Sequence, residues 1–326
     1  MSKIVIIGAG HVGSMCALNL AQIGICDEIV LIDIVEGKAD AQAKDVADAT
    51  VFMSRTPMVR AGGYEDCNEA DIIVNAVGMS RKKGQTRLDM LDDSIHMMKD
   101  VIDKLNQTKF SGYFISITNP CDVIVNYARK HLDLPKNRIF GTGTSLDTAR
   151  LKLTLHRLTG VAVNSIQCFA LGEHGDSSMV PMSHISFMGK SLLELQEEQP
   201  KVYGKVTEEL LLNRTHQLGM EIVIGKGSTE FGIGAAVADI CKAISYDEKK
   251  IIPVSALLEG EYGEEEIMIG VPAIIGKNGM EGIISLRLIE SELEKFHASC
   301  EVVRSYIRRA EGSESVSTST GRSIVH

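Results

Sequence analysis

An α/β fold is predicted, with a doubly wound parallel sheet in the first half of the chain and a mixed α+β second half. Three observations carry this. Short runs rich in β-branched residues alternate with helical periodicity through residue 143. A glycine-rich turn joins the first run to the first helix. From residue 144 the alternation gives way to long helices and one pair of extended strands.

In order, Ile4–Ile7, Ile29–Ile32, Ile72–Val77 and Tyr113–Ile117 read as strands buried on both faces, since they are apolar throughout rather than alternating. Val12–Ile23, Ala39–Val51 and Asp89–Leu105 carry helical spacing between them, and Asn119-Pro120 is a turn after a strand. In the second half a helix is expected at Ser145–Leu158 with Thr144 or Ser145 near its cap, then strands at Ser165–Ala170 and His184–Met188. Long helices follow at Tyr203–Gly225 and Ile233–Ser245. Lys250–Leu257 and Glu266–Ala273 pair across the acidic turn Glu259–Glu265, and amphipathic Glu290–Arg309 closes the fold. The Ser-rich segment from Gly312 to His326 is expected to be disordered. The domains are therefore 1–143, a nucleotide-binding unit, and 144–311, a catalytic or substrate unit, with 312–326 as a tail.

The chain has 326 residues, too many for one small core. Its net charge of −9, with no long basic run, argues against nucleic acid or an anionic membrane as partner. Seven cysteines, an odd number without any CxxC, exclude a disulfide framework and a zinc site, and no metal is expected. Lys3-Ile4-Val5-Ile6-Ile7-Gly8 runs straight into glycines without a cleavage pattern, and no apolar run is long enough to span a bilayer. A cytoplasmic protein is expected.

Gly8-Ala9-Gly10-His11-Val12-Gly13 follows the first strand and opens the first helix. This is GxGxxG in the context a Rossmann nucleotide site requires. Gly8 permits the tight turn, Gly10 lets backbone approach a pyrophosphate, and Gly13 lets helix pack on strand. Asp33, twenty residues past Gly13 at the end of the second strand, can accept both ribose hydroxyls and would repel a 2′-phosphate, which favours NAD over NADP. The same aspartate would also serve as an ordinary turn or helix-cap residue.

Reduction of a ketone by hydride needs a proton donor, a cation near the carbonyl oxygen and an anchor for a carboxylate. Glu173-His174-Gly175-Asp176 follows a predicted strand, and His174 there is either a proton carrier or a structural histidine. Asp147 and Arg150, three apart in Leu146-Asp147-Thr148-Ala149-Arg150, share one helical face, as functional partners or as a surface ion pair. Arg81-Lys82-Lys83-Gly84-Gln85-Thr86-Arg87 suits a loop that closes on an anion, or a solvated basic loop. A non-catalytic NAD-binding module would not need all of these together, and an NAD-using glycosidase would need a metal-binding Cys/His set that the sequence lacks.

GAGHVG, RKKGQTR, TNP, LDTAR, GEHGD and KGST, in that order, resemble the L-lactate/L-malate dehydrogenase family from Lys3 to about Arg309. The resemblance implies an NAD-dependent L-2-hydroxy acid dehydrogenase that works as a homodimer or homotetramer. It implies that His174 is the proton donor and acceptor, Asp147 its orienting carboxylate, Arg150 the bidentate clamp on the substrate carboxylate, and Arg87 the loop cation that polarises the 2-oxo group. Asn119 is similar to the family's substrate and nicotinamide contact, Thr229 to a pocket-lining residue, and Gly78 to a cofactor contact beside Gly8, Gly10, His11, Val12, Gly13 and Asp33.

Arg81 stands where the family selects its substrate. Malate enzymes usually carry Arg there and lactate enzymes Gln, because a guanidinium pairs the second carboxylate of oxaloacetate but faces only a methyl group of pyruvate. Thr118-Asn119-Pro120 and Met179-Val180-Pro181 are malate-like, whereas Glu173-His174, Thr142-Gly143-Thr144 and Thr229 are lactate-like. Oxaloacetate/L-malate is the expected pair. Pyruvate/L-lactate is the alternative, and a branched 2-oxo acid the third if Arg81 swings outward. Lys152 and Gln167 occupy the positions of an Arg and a His through which some lactate dehydrogenases bind fructose 1,6-bisphosphate, so weak or no activation is expected.

Overall fold

The structure, a computed structural model, describes residues 2–78 and 87–320, and of 87–90 and 312–320 the backbone only. In chain order the elements are β1 (Lys3–Ile7), α1 (His11–Ile23), β2 (Glu28–Ile32), α2 (Glu36–Thr50), β3 (Met58–Ala61), β4 (Ile72–Asn75), α3 (Arg87–Leu105), β5 (Tyr113–Ser116), α4 (Cys121–His131) and β6 (Ile139–Gly141). There follow α5 (Ser145–Thr159), β7 (Ile166–Gln167), β8 (Ser186–Phe187), β9 (Lys190–Ser191), α6 (Leu192–Glu198), α7 (Pro200–Tyr203), α8 (Glu208–Lys226), α9 (Phe231–Ser245), β10 (Lys250–Glu259), β11 (Glu265–Gly276), β12 (Gly279–Ile283) and α10 (Glu290–Thr320).

The main sheet has the order β12-β11-β10-β6-β5-β4-β1-β2-β3. From β3 to β6 it is parallel, with Ile4 of β1 between Ile29 of β2 and Ile72 of β4. The strand order reverses beside β1, the switch point at which open α/β sheets bind ligands. Its central strands are wholly buried, which is why their sequences do not alternate. The antiparallel strands β10 to β12 continue the same sheet, joined where Ser255 lies opposite Gly141. A Cβ at Gly141 would stand 2.8 Å from the Cys121 sulfur and 3.1 Å from the Ser255 Cβ, so glycine is what lets the second half dock here.

One apolar core covers both halves of this sheet. A smaller one, centred on Leu151, Leu155, Ile166, Leu192 and Leu211, lies under α5 to α8. All seven cysteines are free and buried, and burial pushes thiols such as Cys16 and Cys168 up to about 12. Among the described residues no helix is long and apolar enough to cross a membrane.

Several expectations need correction. The edge strand β3, short β6 and helix α4 are additional to the predicted elements, as are β9, α6, α7 and β12. The strand expected over Ser165–Ala170 is confined to β7. Beyond it the Thr144 hydroxyl donates to the Ala170 carbonyl at 2.6 Å and the Thr148 hydroxyl accepts the Ala170 N–H at 2.9 Å, so helix α5 takes the place of a neighbouring strand. The helix expected from Tyr203 begins instead at Glu208, where Thr207 caps it by accepting from the Leu210 N–H. Helix α10 extends as backbone to Thr320, into the tail expected from Gly312, and 321–326 lies outside the described residues.

Candidate active site

Two regions of polar backbone and charged side chains lie at the carboxyl side of the parallel strands. The first is the glycine turn after β1. Gly8 has φ +101°, a conformation that disfavours any side chain. A Cβ at Gly13 would stand 1.9 Å from the Gly8 carbonyl oxygen, so the close seating of α1 requires glycine. At Gly10 a Cβ would meet only the Lys38 ammonium, at 3.8 Å. Gly10 caps α1 without any side-chain hydrogen bond, which leaves the first-turn N–H groups facing an open surface. Gly78 is likewise open and exposed, and His11 is exposed beside half-buried Val12.

Asp33 does two things at once. Its Oδ2 accepts from the Ala9 N–H at 2.9 Å and its Oδ1 from the Val35 N–H at 3.0 Å, while Lys38 stands 3.5 Å away. The turn role weighed from the sequence is therefore real, and the carboxylate still lies beside the glycine turn. An open, backbone-lined helix start with a carboxylate at the next strand end fits a dinucleotide.

The second region is built on α5 and the loop 172–178. Isolated pairing of Gly172 with Gly270 of β11, through two 3.0 Å hydrogen bonds, opens that loop. The Ser299 hydroxyl of α10 accepts the Glu173 N–H at 2.8 Å. The next N–H, that of His174, is taken by Asp122 Oδ2 at 2.7 Å. The imidazole then reaches Asp147 in the first turn of α5, with Nδ1 2.6 Å from Asp147 Oδ2. Nε2 is thereby the nitrogen left to meet a ligand.

Arg150, one turn along α5, places Nη1 3.5 Å from Asp147 Oδ1. Helix α8 crosses this point at Gly219, where a Cβ would stand 3.1 Å from the same nitrogen, so glycine leaves room for the guanidinium. His216, on the same helix, pairs its Nε2 with the Ser178 hydroxyl at 2.9 Å.

The electrostatics follow. The Asp147 carboxylate raises the His174 pKa to about 9, against burial, which disfavours the charged ring. Burial pushes Asp147 up, but the His174 imidazolium with its hydrogen bond, then Arg150 and His216, outweigh it and hold the carboxyl below the usual range. The arrangement is an imidazolium at neutral pH, with a guanidinium close by, able to protonate an oxyanion whose carboxylate the arginine holds.

The structure thus brings His174, Asp147 and Arg150 together. Asn119 is exposed just before α4, its carbonyl accepting from the Ser94 hydroxyl at 2.9 Å. Thr229 is half-buried in the connection between α8 and α9. Arg81 lies outside the described residues, and of Arg87 only its place at the start of α3 is described. Sequence reasoning missed Asp122, Ser255, Ser299, His216 and Gly219. Asp122 alone left a signal there, a carboxylate heading the apolar run Cys121-Asp122-Val123-Ile124-Val125.

Known proteins resemble this chain over most of its length. The lactate/malate dehydrogenase NAD-binding domain matches residues 2–141, and the lactate/malate dehydrogenase alpha/beta C-terminal domain matches 144–313. L-lactate dehydrogenase 3 of Bacillus thuringiensis subsp. konkukian is 42% identical over 306 residues, 94% of this chain and 97% of that protein. L-lactate dehydrogenase of Fusobacterium nucleatum is 40% identical over 305 residues, 94% and 96% of the two chains. The ligand-bound crystal structure of minor L-lactate dehydrogenase from Enterococcus mundtii superposes with a TM-score of 0.90 at 33% identity, covering 94% of this chain and 98% of that one.

Proposed function

The chain belongs to the lactate/malate dehydrogenase family, and from that premise we propose that it interconverts pyruvate and L-lactate with His174 as proton donor and acceptor. It is an NAD-dependent oxidoreductase acting on L-2-hydroxy acids. The glycine turn 8–13, Asp33 and Gly78 would hold NAD, which when bound would supply or accept the hydride at carbon 2. The remaining chemistry belongs to side chains. His174 gives the Nε2 proton to the carbonyl oxygen, and in the reverse direction takes it back. Asp147 holds the ring orientation and favours the imidazolium. Arg150 takes the substrate carboxylate in a bidentate grip. Arg87 polarises the carbonyl, and Asn119 and Thr229 line the pocket.

The observation that carries the reaction is the 2.6 Å contact between His174 Nδ1 and Asp147 Oδ2. For the substrate, relatives from 42% down to 37% identity bear the name L-lactate dehydrogenase, which favours pyruvate, the alternative in the sequence reading, over oxaloacetate. Arg81 supports the second reading, oxaloacetate/L-malate, because its guanidinium would pair a second carboxylate. The test is kcat/KM for pyruvate, oxaloacetate and branched 2-oxo acids with NADH, repeated in Arg81→Gln. Pyruvate preferred in both proteins supports the lactate reading. Oxaloacetate preferred in the natural chain and lost in R81Q would overturn it.

A homodimer or homotetramer is part of the proposal, since α8 leaves Met220, Val223 and Ile224 exposed. So is a cytoplasmic location, where a reducing environment keeps seven unpaired cysteines as thiols.

A further inference from the structure

Asp122 lies in the first turn of α4, two residues after the cis Asn119-Pro120 bond, and is only 2% exposed. Among the described residues no Lys or Arg pairs with it. A buried carboxylate without a cation is costly unless its oxygens are well satisfied. Here Oδ1 accepts from the Ser255 hydroxyl of β10 at 2.5 Å, and Oδ2 accepts from the backbone N–H of His174 at 2.7 Å. The neighbouring anchors of the loop, Gly270 and Ser299, hold residues 172 and 173. Asp122 holds the amide of the histidine itself.

We infer that Asp122 is a positioning residue for the proton transfer: by gripping the His174 backbone from the start of α4, it fixes the imidazole relative to Asp147 and to Asn119. The first half of the chain supplies Asp122 and Asn119 from one turn. The second half supplies His174 and Asp147. One carboxylate therefore locks the proton donor of one domain to the cofactor side of the other. A reacting group misplaced by about 1 Å costs on the order of a hundredfold in rate.

The same charge acts on the ring. Among the described residues, Asp147 and Arg150 from α5, and Asp122 from α4, are the charged groups that act most on His174. Glu173 of the loop acts on Asp122, and His216 of α8 on Asp147. Asp122, like Asp147, favours the imidazolium. Burial raises the Asp122 carboxyl to about 6, against the Ser255 and His174 hydrogen bonds that favour its ionised form.

This inference rests on His174 being the proton donor, and the experiment separates the two. Pyruvate reduction by Asp122→Asn, Ser255→Ala and His174→Asn is compared with the natural chain for kcat, KM, NADH binding and the pH dependence of kcat/KM. D122N can still offer its amide oxygen to the His174 N–H, but as a neutral acceptor it holds that amide less tightly and loses the charge acting on the ring. It should lower kcat by about tenfold or more with NADH binding changed by less than about twofold, and move the alkaline limb to lower pH. S255A strips one donor from the carboxylate, which still stays ionised at the alkaline limb because its carboxyl lies at about 6. It should leave the limb in place and lower kcat roughly several-fold with NADH binding unchanged, because the grip on the His174 amide loosens, and it serves if D122N does not fold. An unmoved limb in D122N, or an unchanged kcat in S255A, with H174N inactive, overturns the role of Asp122 and leaves the function standing. An active H174N overturns the function itself.

Discussion

Replacing Asp147 with Asn tests the electrostatic heart of the site. Asp147 is the first cause of the elevated His174 pKa, and burial opposes it. Without the charge, burial and the Arg150 guanidinium outweigh the Asp122 carboxylate, and the imidazole should return to its ordinary value of about 6.5 or lower. The difference from about 9 corresponds to about 3 kcal/mol of lost preference for the imidazolium. Near pH 7.5 the natural site is then almost wholly protonated, whereas the variant holds its proton in about a tenth of molecules or fewer. Steady-state pyruvate reduction, followed by NADH absorbance from mild acid to alkali, gives the profile directly. The natural chain should hold its kcat/KM until the pH approaches about 9 and then fall. D147N should begin to fall around neutrality or below. Lactate oxidation requires the neutral ring and should rise over the same interval. If the alkaline limb of reduction stays put in D147N, the carboxylate does not set the charge of the histidine.

The same pair links stability to pH. The folded-state pKa of His174 is raised, so the stability it contributes is complete below its unfolded value of about 6.5 and lost as pH rises through about 9. Thermal melts should therefore show a larger alkaline fall in Tm for the natural chain than for D147N. Gly219→Ala presses a methyl group toward Arg150, 3.1 Å away, and should raise the KM for pyruvate several-fold with NADH binding intact, read by steady-state kinetics and fluorescence titration. Gly13→Ala drives a Cβ against the Gly8 carbonyl, and calorimetry should find NADH binding lost or Tm sharply lowered. Fructose 1,6-bisphosphate should leave the pyruvate half-saturation nearly unchanged, because Gln167 brings no charge and Lys152 only a single point charge.

How much was legible follows from what each feature depends on. Strands β1, β2, β4 and β5 announce themselves because they are buried on both faces and β-branched. Strand β3 does not: it is an edge strand with Arg60 at its centre, half-buried and tied to Glu28 and Asp66. Helix α4 hides because it carries Val123-Ile124-Val125 near its start, a β-branched run that reads as strand rather than helix. His174, Asp147 and Arg150 could be picked out because each sits in a local motif. Their second partners could not. Ser255 meets Asp122 across 133 residues, and Ser299 meets Glu173 across 126, contacts that only the assembled sheet creates. Substrate choice is the converse case. Arg81, Thr118-Asn119-Pro120 and Met179-Val180-Pro181 pointed to malate, Glu173-His174, Thr142-Gly143-Thr144 and Thr229 to lactate, and relatives such as that of Bacillus thuringiensis bear the lactate name.

The most direct measurement is a crystal structure of the complex with NADH and oxamate, a non-reducible mimic of pyruvate. Nε2 of His174 should lie about 3 Å from the carbonyl oxygen, with Nδ1 still on Asp147 and the Arg150 guanidinium paired to the carboxylate. An imidazole turned away from that oxygen, or a carboxylate held by some other cation, would contradict the account.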